Sequence, residues 1–162
     1  YSERIVDLGI VILLTTVGLS QFLTQTLLIR RILPRFGEAN LVIIGGALRA
    51  VGMFFLAIAT APWFGIVGSI FFPVGMGLMM PPLQALSTRA VPDEVRGGVL
   101  GLYQSTVSLA TIFSTALAGT IFAINPHYPY WLGMTLSLLA ILPAYYFLRR
   151  PLRQPPQGTA VP

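Results

Sequence analysis

Long runs of apolar residues separated by short gaps dominate this chain. Five runs each contain about 20 mostly apolar residues, the length that an α-helix needs to cross the hydrocarbon core of a bilayer. Strands of a transmembrane β-barrel are about 10 residues long and alternate strictly between apolar and polar positions, which these runs do not. The pattern therefore predicts an all-α integral membrane protein with about five transmembrane helices. The predicted spans are residues 7–29, 41–60, 64–86, 99–124 and 130–148.

Short connections place consecutive helices side by side in antiparallel order. Residues 1–150 are therefore predicted to form one transmembrane helical bundle. Residues 151–162 are rich in Pro and Gln, and we expect them to form a disordered cytoplasmic tail. The chain begins with Tyr1 and lacks a basic n-region, so we expect a piece of a longer protein and no signal peptide.

The composition agrees with lipid as the solvent of this chain. Its 162 residues are 55% hydrophobic and only 9% charged, whereas soluble domains carry about 25% charged residues. A soluble surface of this size needs more charges than the sequence supplies. The net charge of +5 comes from arginines between the apolar runs, so we expect no nucleic acid partner.

Arginines mark one end of the predicted bundle. Eight of the ten basic residues lie on one side, in the connections at residues 30–40 and 87–98 and in the C-terminal stretch 149–153, whereas the connections on the other side contain none. Basic residues concentrate on the cytoplasmic side of membrane proteins. The pattern predicts a multi-pass protein of the cell (inner) membrane with a cytoplasmic C-terminus. Trp63 and Trp131 then lie at the outer boundary, as in an aromatic belt.

Polar residues inside two of the runs are costly in lipid, so their placement is informative. Gln21 and Gln25 lie one turn apart in the first run, and Gln104, Ser108 and Thr111 follow one helical face of the fourth. One interpretation is hydrogen bonding between helices, worth about 0.6 kcal/mol per contact. The other is a water-filled cavity lined by the first, third and fourth helices, which the large Gln amides favour. These five residues are the candidate substrate-cavity residues.

Arg49 is the one charge deep inside a predicted span. One interpretation is structural, with the long stem reaching the cytoplasmic interface and pairing with Glu38, or with Asp93 and Glu94. The other is a role in substrate binding or ion coupling. No Asp or Glu lies deep in a span, so we expect any proton-coupling carboxylate elsewhere.

The residue inventory argues against an enzyme. An intramembrane active site needs a nucleophile with its base, or paired acids, buried together. The sequence has no cysteine, and its single histidine, His127, lies in a connection. We therefore predict no catalytic residue, no metal site and no cofactor.

Small residues predict close helix contacts in two places. The third run is dense in Gly and Pro, and the fourth begins with the spacing Gly97-x-x-x-Gly101. Small residues at such spacing let helix backbones approach closely in a membrane.

Two cytoplasmic connections carry a more specific pattern. Residues 29–38 read IRRILPRFGE and contain an Arg-x-Gly element at Arg35 and Gly37. Residues 80–98 read MPPLQALSTRAVPDEVRGG, a Pro-x-Leu-Gln element followed by basic and acidic residues and glycine. The chain thereby resembles the C-terminal half of major facilitator superfamily transporters, and within them the drug:proton antiporters of the tetracycline-efflux kind. The loop residues that match are Arg35, Gly37, Arg89, Asp93, Glu94, Arg96 and Gly97.

The resemblance implies a fold and a function. The five spans correspond to helices eight to twelve of the superfamily fold, and the partner is the N-terminal half of the same transporter. The matched loop residues take part in cytoplasmic gating. The implied activity is secondary active transport by alternating access, as a proton-coupled efflux of small amphiphilic molecules.

Two other functions fit the same chain. One is a symporter or uptake member of the same superfamily. The other is a membrane scaffold or partner subunit that does not transport, which would not need Gln side chains at mid-membrane.

Overall fold

The architecture is helical throughout the part of the chain that the structure, a computed structural model, describes, which is residues 3–148. This confirms the predicted all-α class. The predictions for the tail 151–162 and for the side of the C-terminus lie outside these residues. The elements are α1 (Glu3–Leu23), a π-helical turn (Thr24–Leu28), α2 (Ile29–Ala57), α3 (Pro62–Arg89), a 3-10 turn (Asp93–Val95), α4 (Arg96–Ile124) and α5 (Tyr128–Leu148).

Three helical segments of the described chain are long and apolar enough to cross a membrane: Asp7–Ala57, Trp63–Arg89 and Asp93–Ile124. The first has 51 residues, which as a straight helix would be about 77 Å long. A hydrocarbon core is about 30 Å thick. The helical backbone is interrupted at Gly37, where φ is 74° and ψ is 164°, and this break divides the segment. That all five runs cross the membrane stays a prediction.

The helices are longer than the predicted spans. The connection predicted at residues 30–40 is helical on both sides of Gly37, and α2 accommodates Pro34 in its interior. Arg, Leu, Glu and Ala all have high helix propensity, so helical structure continues past the apolar run. In the next connection, α3 continues to Arg89 and α4 begins at Arg96.

The tightest packing in the bundle joins α2 to α3 through glycines. Gly45 and Gly52 on α2 are seven residues apart, as are Gly68 and Gly75 on α3, so each pair lies on one face about two turns apart. A methyl group at Gly45 would lie 2.7 Å from the Gly75 carbonyl oxygen, and a methyl at Gly75 would overlap the Arg49 backbone nitrogen. The predicted close contacts of the third run are confirmed here.

The other helices pack around this pair. On α5, Gly133 and Trp131 meet α2, with the Trp131 ring edge-on to Phe54 at 6.0 Å between centroids. Helix α1 meets α3, where Thr24 lies against Gly77. Helix α4 has no buried residue, and the contact predicted from Gly97 and Gly101 has no neighbour within 4 Å in the described chain.

Candidate functional site

The polar cluster of the first run, formed by Ser20, Gln21, Thr24 and Gln25, lies where α1 continues into the π-helical turn. Thr24, the first residue of that turn, is only 3% exposed and donates a hydrogen bond to the Ser20 carbonyl oxygen at 2.7 Å. Its methyl group packs on Gly77 of α3. Gln21 is half-buried beside it and Gln25 is exposed. The threonine therefore serves helix contact, while the two amides are left on the surface of α1.

The predicted polar stripe of α4 is exposed along its length. Gln104, Ser108 and Thr111 all lie on the surface of the described bundle. Thr111 donates to the carbonyl oxygen of Val107 at 2.7 Å, which satisfies its proton within the helix. Gln104 has the largest polar group of the three and directly follows Tyr103, whose hydroxyl donates to the Met80 sulfur at 3.2 Å.

Helices α1 and α4 both approach α3, at positions within one turn of each other along it. Gly77 of α3 contacts Thr24 of α1, and Met80, one turn further along, contacts Tyr103 of α4. Gln21 and Gln104 adjoin these two contacts in sequence. Helices α1 and α4 do not touch each other in residues 3–148. The structure thus brings the two polar groups to one level of α3 without joining them.

Sequence reasoning missed the two contacts that set this level. Thr24 belongs to the polar cluster, yet the pattern gave no reason to separate it from its neighbours. Tyr103 and Met80 have no polar periodicity that would mark them. The small residue at Gly77 was the available signal, because it leaves room for a side chain from a neighbouring helix.

The matched loop residues lie at the break within α2 and in the connection between α3 and α4. Arg89 at the end of α3 pairs with Glu38 of α2 at 3.0 Å, although 51 residues separate them. Arg96 pairs with Asp93 at 2.6 Å and donates from Nε to the Thr88 carbonyl oxygen at 3.2 Å. These bonds hold the turn between α3 and α4 against the part of α2 that directly follows the break. Arg35, Gly37, Glu94 and Gly97 are exposed nearby, and their gating role stays a prediction.

Arg49 does not have the partners that the structural interpretation expected. Glu38 is bonded to Arg89 and Asp93 to Arg96, so the predicted ion pairs of Arg49 are wrong. Its guanidinium instead lies over the Phe72 ring, 5.7 Å from the centroid. Its Nε is buried and has no hydrogen-bond partner. Glu38 precedes Arg49 by 11 residues on α2, about 17 Å along the helix axis, which is farther than an arginine side chain reaches.

Two cavities open beside Arg49. One, of about 390 Å³, lies between α2, α3 and α5. The other, of about 610 Å³, lies between α2, α4 and α5. Neither is lined by Gln21, Gln25, Gln104, Ser108 or Thr111. The described residues contain no group of His, Cys, Asp and Glu that could hold a metal ion.

Fold and site together define a helical membrane protein in which two helices with polar residues contact a glycine-rich helix. Polar residues inside membrane-spanning segments often mark substrate pathways. Residues 5–161 match the Major Facilitator Superfamily. The chain belongs to this superfamily of membrane transporters.

Individual relatives come from the same class of proteins. The chain is 31% identical to the multidrug resistance protein MdtH of Edwardsiella ictaluri over 147 residues, which are 85% of this chain and 37% of that protein. It is 33% identical to the class C tetracycline resistance protein of Escherichia coli over 110 residues, 68% of this chain and 28% of that protein. The uncharacterized transporter YhhS of Escherichia coli strain K12 is 26% identical over 119 residues, 74% of this chain and 28% of that protein.

The chain therefore spans about a third of the length of these relatives. It resembles the tetracycline-efflux group, as its loop motifs predicted, and it corresponds to part of the superfamily fold. No solved structure matches the chain.

Proposed function

We propose that this chain forms helices eight to twelve of a secondary transporter that exports small amphiphilic molecules in exchange for protons. The proposal is supported by the contacts of Thr24 with Gly77 and of Tyr103 with Met80, which bring the glutamine-bearing parts of α1 and α4 to within one turn of each other along α3. Two amides at that position offer hydrogen bonds to a substrate without fixing its charge. A tolerant site of this kind suits varied amphiphilic compounds.

The names of two relatives support efflux as the direction. One is called a multidrug resistance protein and the other a tetracycline resistance protein. Both export and resistance require the cytoplasmic side to load substrate. The Arg89–Glu38 ion pair ties α2 to α3 within this half, so it would help the half to move as a unit against the other half in an alternating-access cycle.

Proton coupling needs a carboxylate that changes its protonation during the cycle. In the described spans, Asp7 lies near the start of α1, Glu38 is engaged by Arg89, and Asp93 and Glu94 lie in a turn. We therefore propose that the coupling carboxylate belongs to an N-terminal half of the same transporter. The partners are that half, the lipid bilayer and the small-molecule substrate.

The proposed location is the inner cell membrane with the C-terminus in the cytoplasm. The arginine distribution supports it, since five of the seven arginines in residues 3–148 fall at one end of the bundle by chain order: Arg30, Arg31, Arg35, Arg89 and Arg96. The apolar, exposed outer faces of α1 and α4 suit contact with lipid or with further helices.

Transport in everted membrane vesicles tests this function. The protein is produced together with any sequence encoded in frame with it, and tetracycline and a cationic dye are offered as substrates. We expect accumulation in the vesicles only while a proton gradient is present, because inward movement into an everted vesicle is export from the cell. Vesicles treated with an uncoupler, and vesicles without the protein, are the controls.

Equal accumulation with and without the proton gradient would contradict proton exchange. Movement in the opposite direction would indicate an uptake symporter. A well-expressed protein that moves neither compound would contradict drug efflux and favour the scaffold function.

A further inference from the structure

Arg49 occupies the middle of the apolar part of α2. It follows the break at Gly37 by 12 residues and precedes the helix end at Ala57 by 8, which is about 18 Å and about 12 Å along the axis. A single side chain does not bridge either distance. The guanidinium therefore stays within the bundle rather than reaching the water at either end.

The charge of Arg49 is not neutralised by any described residue. Its Nε is buried without a hydrogen-bond partner, and its guanidinium lies over the ring of Phe72. The described carboxylates lie elsewhere: Glu38 and Asp93 are bonded to other arginines, and Asp7 and Glu94 are exposed near helix ends. A charge held within a helix bundle without a partner is unfavourable. The site therefore favours an anion from outside the described chain.

The two cavities beside Arg49 are almost entirely apolar. Their volumes of about 390 and 610 Å³ lie within the range of about 300–1,000 Å³ that small-molecule sites occupy. Two of the hydroxyls on their walls are already used, since Ser137 donates to the Gly133 carbonyl oxygen at 2.7 Å and Ser114 donates to that of Thr111 at 3.1 Å, whereas Thr115 and Tyr130 add hydroxyls to the larger cavity. The guanidinium is the one charged group that lines either cavity.

The cavities open through α5 to the surface of the bundle. Leu136 lines both of them and is 56% exposed, and Ala140 on the wall of the smaller cavity is exposed as well. In a membrane-spanning bundle that surface at mid-height faces lipid. A ligand that reaches Arg49 by this route must first dissolve in the bilayer.

We propose that Arg49 binds the carboxylate of a single-chain fatty acid whose hydrocarbon tail lies in these cavities. A guanidinium and a carboxylate form two parallel hydrogen bonds, which would give the charge of Arg49 a partner. A fatty acid crosses lipid in its neutral form and ionises beside the cation, since a nearby positive charge favours the carboxylate. A diacyl phospholipid fits less well, because its phosphate belongs at the interface rather than at mid-membrane.

Photolabelling with a palmitate that carries a diazirine on its chain tests the proposal. The protein, in vesicles, is labelled, digested and mapped by mass spectrometry. We expect label on the α5 peptide that contains Leu136, and we expect excess unlabelled palmitate to remove it. A matched diazirine alcohol with the same chain should label that peptide no more than it labels the exposed face of α1, because it has no charge for Arg49 to bind.

Substitutions locate the effect at the guanidinium. Arg49→Gln should reduce the palmitate label on α5 at least tenfold, Arg49→Lys should keep most of it, and Arg30→Gln should leave it unchanged as the control. Equal labelling by acid and alcohol in the unaltered protein would overturn the proposal even if Arg49→Gln fails to fold. Absence of palmitate label at α5, as expected if an acidic side chain from another segment pairs with Arg49, would overturn it too.

Discussion

Gly75→Ala is expected to be among the most destabilising single-methyl changes in the described helices. The new methyl would overlap the Arg49 backbone nitrogen and lie 2.6 Å from the Gly45 carbonyl oxygen. Backbone atoms in packed helices cannot move aside as a flexible side chain can. The cost should reach or exceed the upper end of the usual overpacking penalty, about 3 kcal/mol. Gly52→Ala should behave alike, because its methyl would overlap the Phe72 backbone nitrogen.

Glycines of α1 provide the matched control for this prediction. Gly9 and Gly18 are also helical, but a methyl at either position meets nothing within 4 Å. Alanine there should be neutral or stabilising by up to about 1 kcal/mol, since glycine weakens a helix by that amount. Unfolding by sodium dodecyl sulfate, followed by circular dichroism in mild detergent, measures all four variants. Equal midpoints for Gly75→Ala and Gly9→Ala would contradict the close α2–α3 contact.

Gly37→Ala is expected to straighten the start of α2 and to release its ion pair with α3. At Gly37 φ is 74° and ψ is 164°, a backbone region that is essentially restricted to glycine. Nothing lies within 4 Å of a methyl group at this position, so the cost comes from the backbone alone, about 1–3 kcal/mol. The chain can avoid that cost by continuing the helix, which would move Glu38 away from Arg89.

Spin labels measure this change directly. The sequence contains no cysteine, so cysteines placed at Arg31 and Ile44 report the distance across the break. We expect Gly37→Ala to lengthen that distance toward the value of about 20 Å for 13 residues of continuous helix. Gly65→Ala, at a helical glycine with open space around it, should change nothing. An unchanged distance in Gly37→Ala would contradict the role of glycine in the break.

Apolar length and the spacing of small residues were sufficient to predict much of this fold. The runs predict the helices because backbone groups in lipid must be bonded within one segment. The glycine density of the third run predicts its close packing, because a residue without a side chain, such as Gly75, lets the backbone of α2 approach. Likewise the i, i+4, i+7 spacing of Gln104, Ser108 and Thr111 correctly places them on one face, which the structure leaves exposed.

Sequence patterns did not predict which side chains of distant segments contact each other. The pairing of Glu38 with Arg89 depends on the register at which α2 packs on α3, which the glycines set and a single sequence does not reveal. The expectation that Arg49 pairs at the interface was wrong for that reason. The break at Gly37 was also hidden, since helix formers flank it on both sides.

The proposed transport pathway requires water access to the polar faces of α1 and α4. The most direct test is the reaction of a membrane-impermeant maleimide with Gln25→Cys and Gln104→Cys, each introduced singly into the protein in vesicles. The matched controls are Leu19→Cys on α1 and Phe113→Cys on α4, which lie on other helix faces than the glutamines and whose native side chains are 55% and 68% exposed but apolar. We expect rapid labelling at both glutamine positions and little at Leu19 or Phe113. Failure to label at both glutamine positions, or equal labelling at all four, would contradict a water-filled transport pathway along these helices.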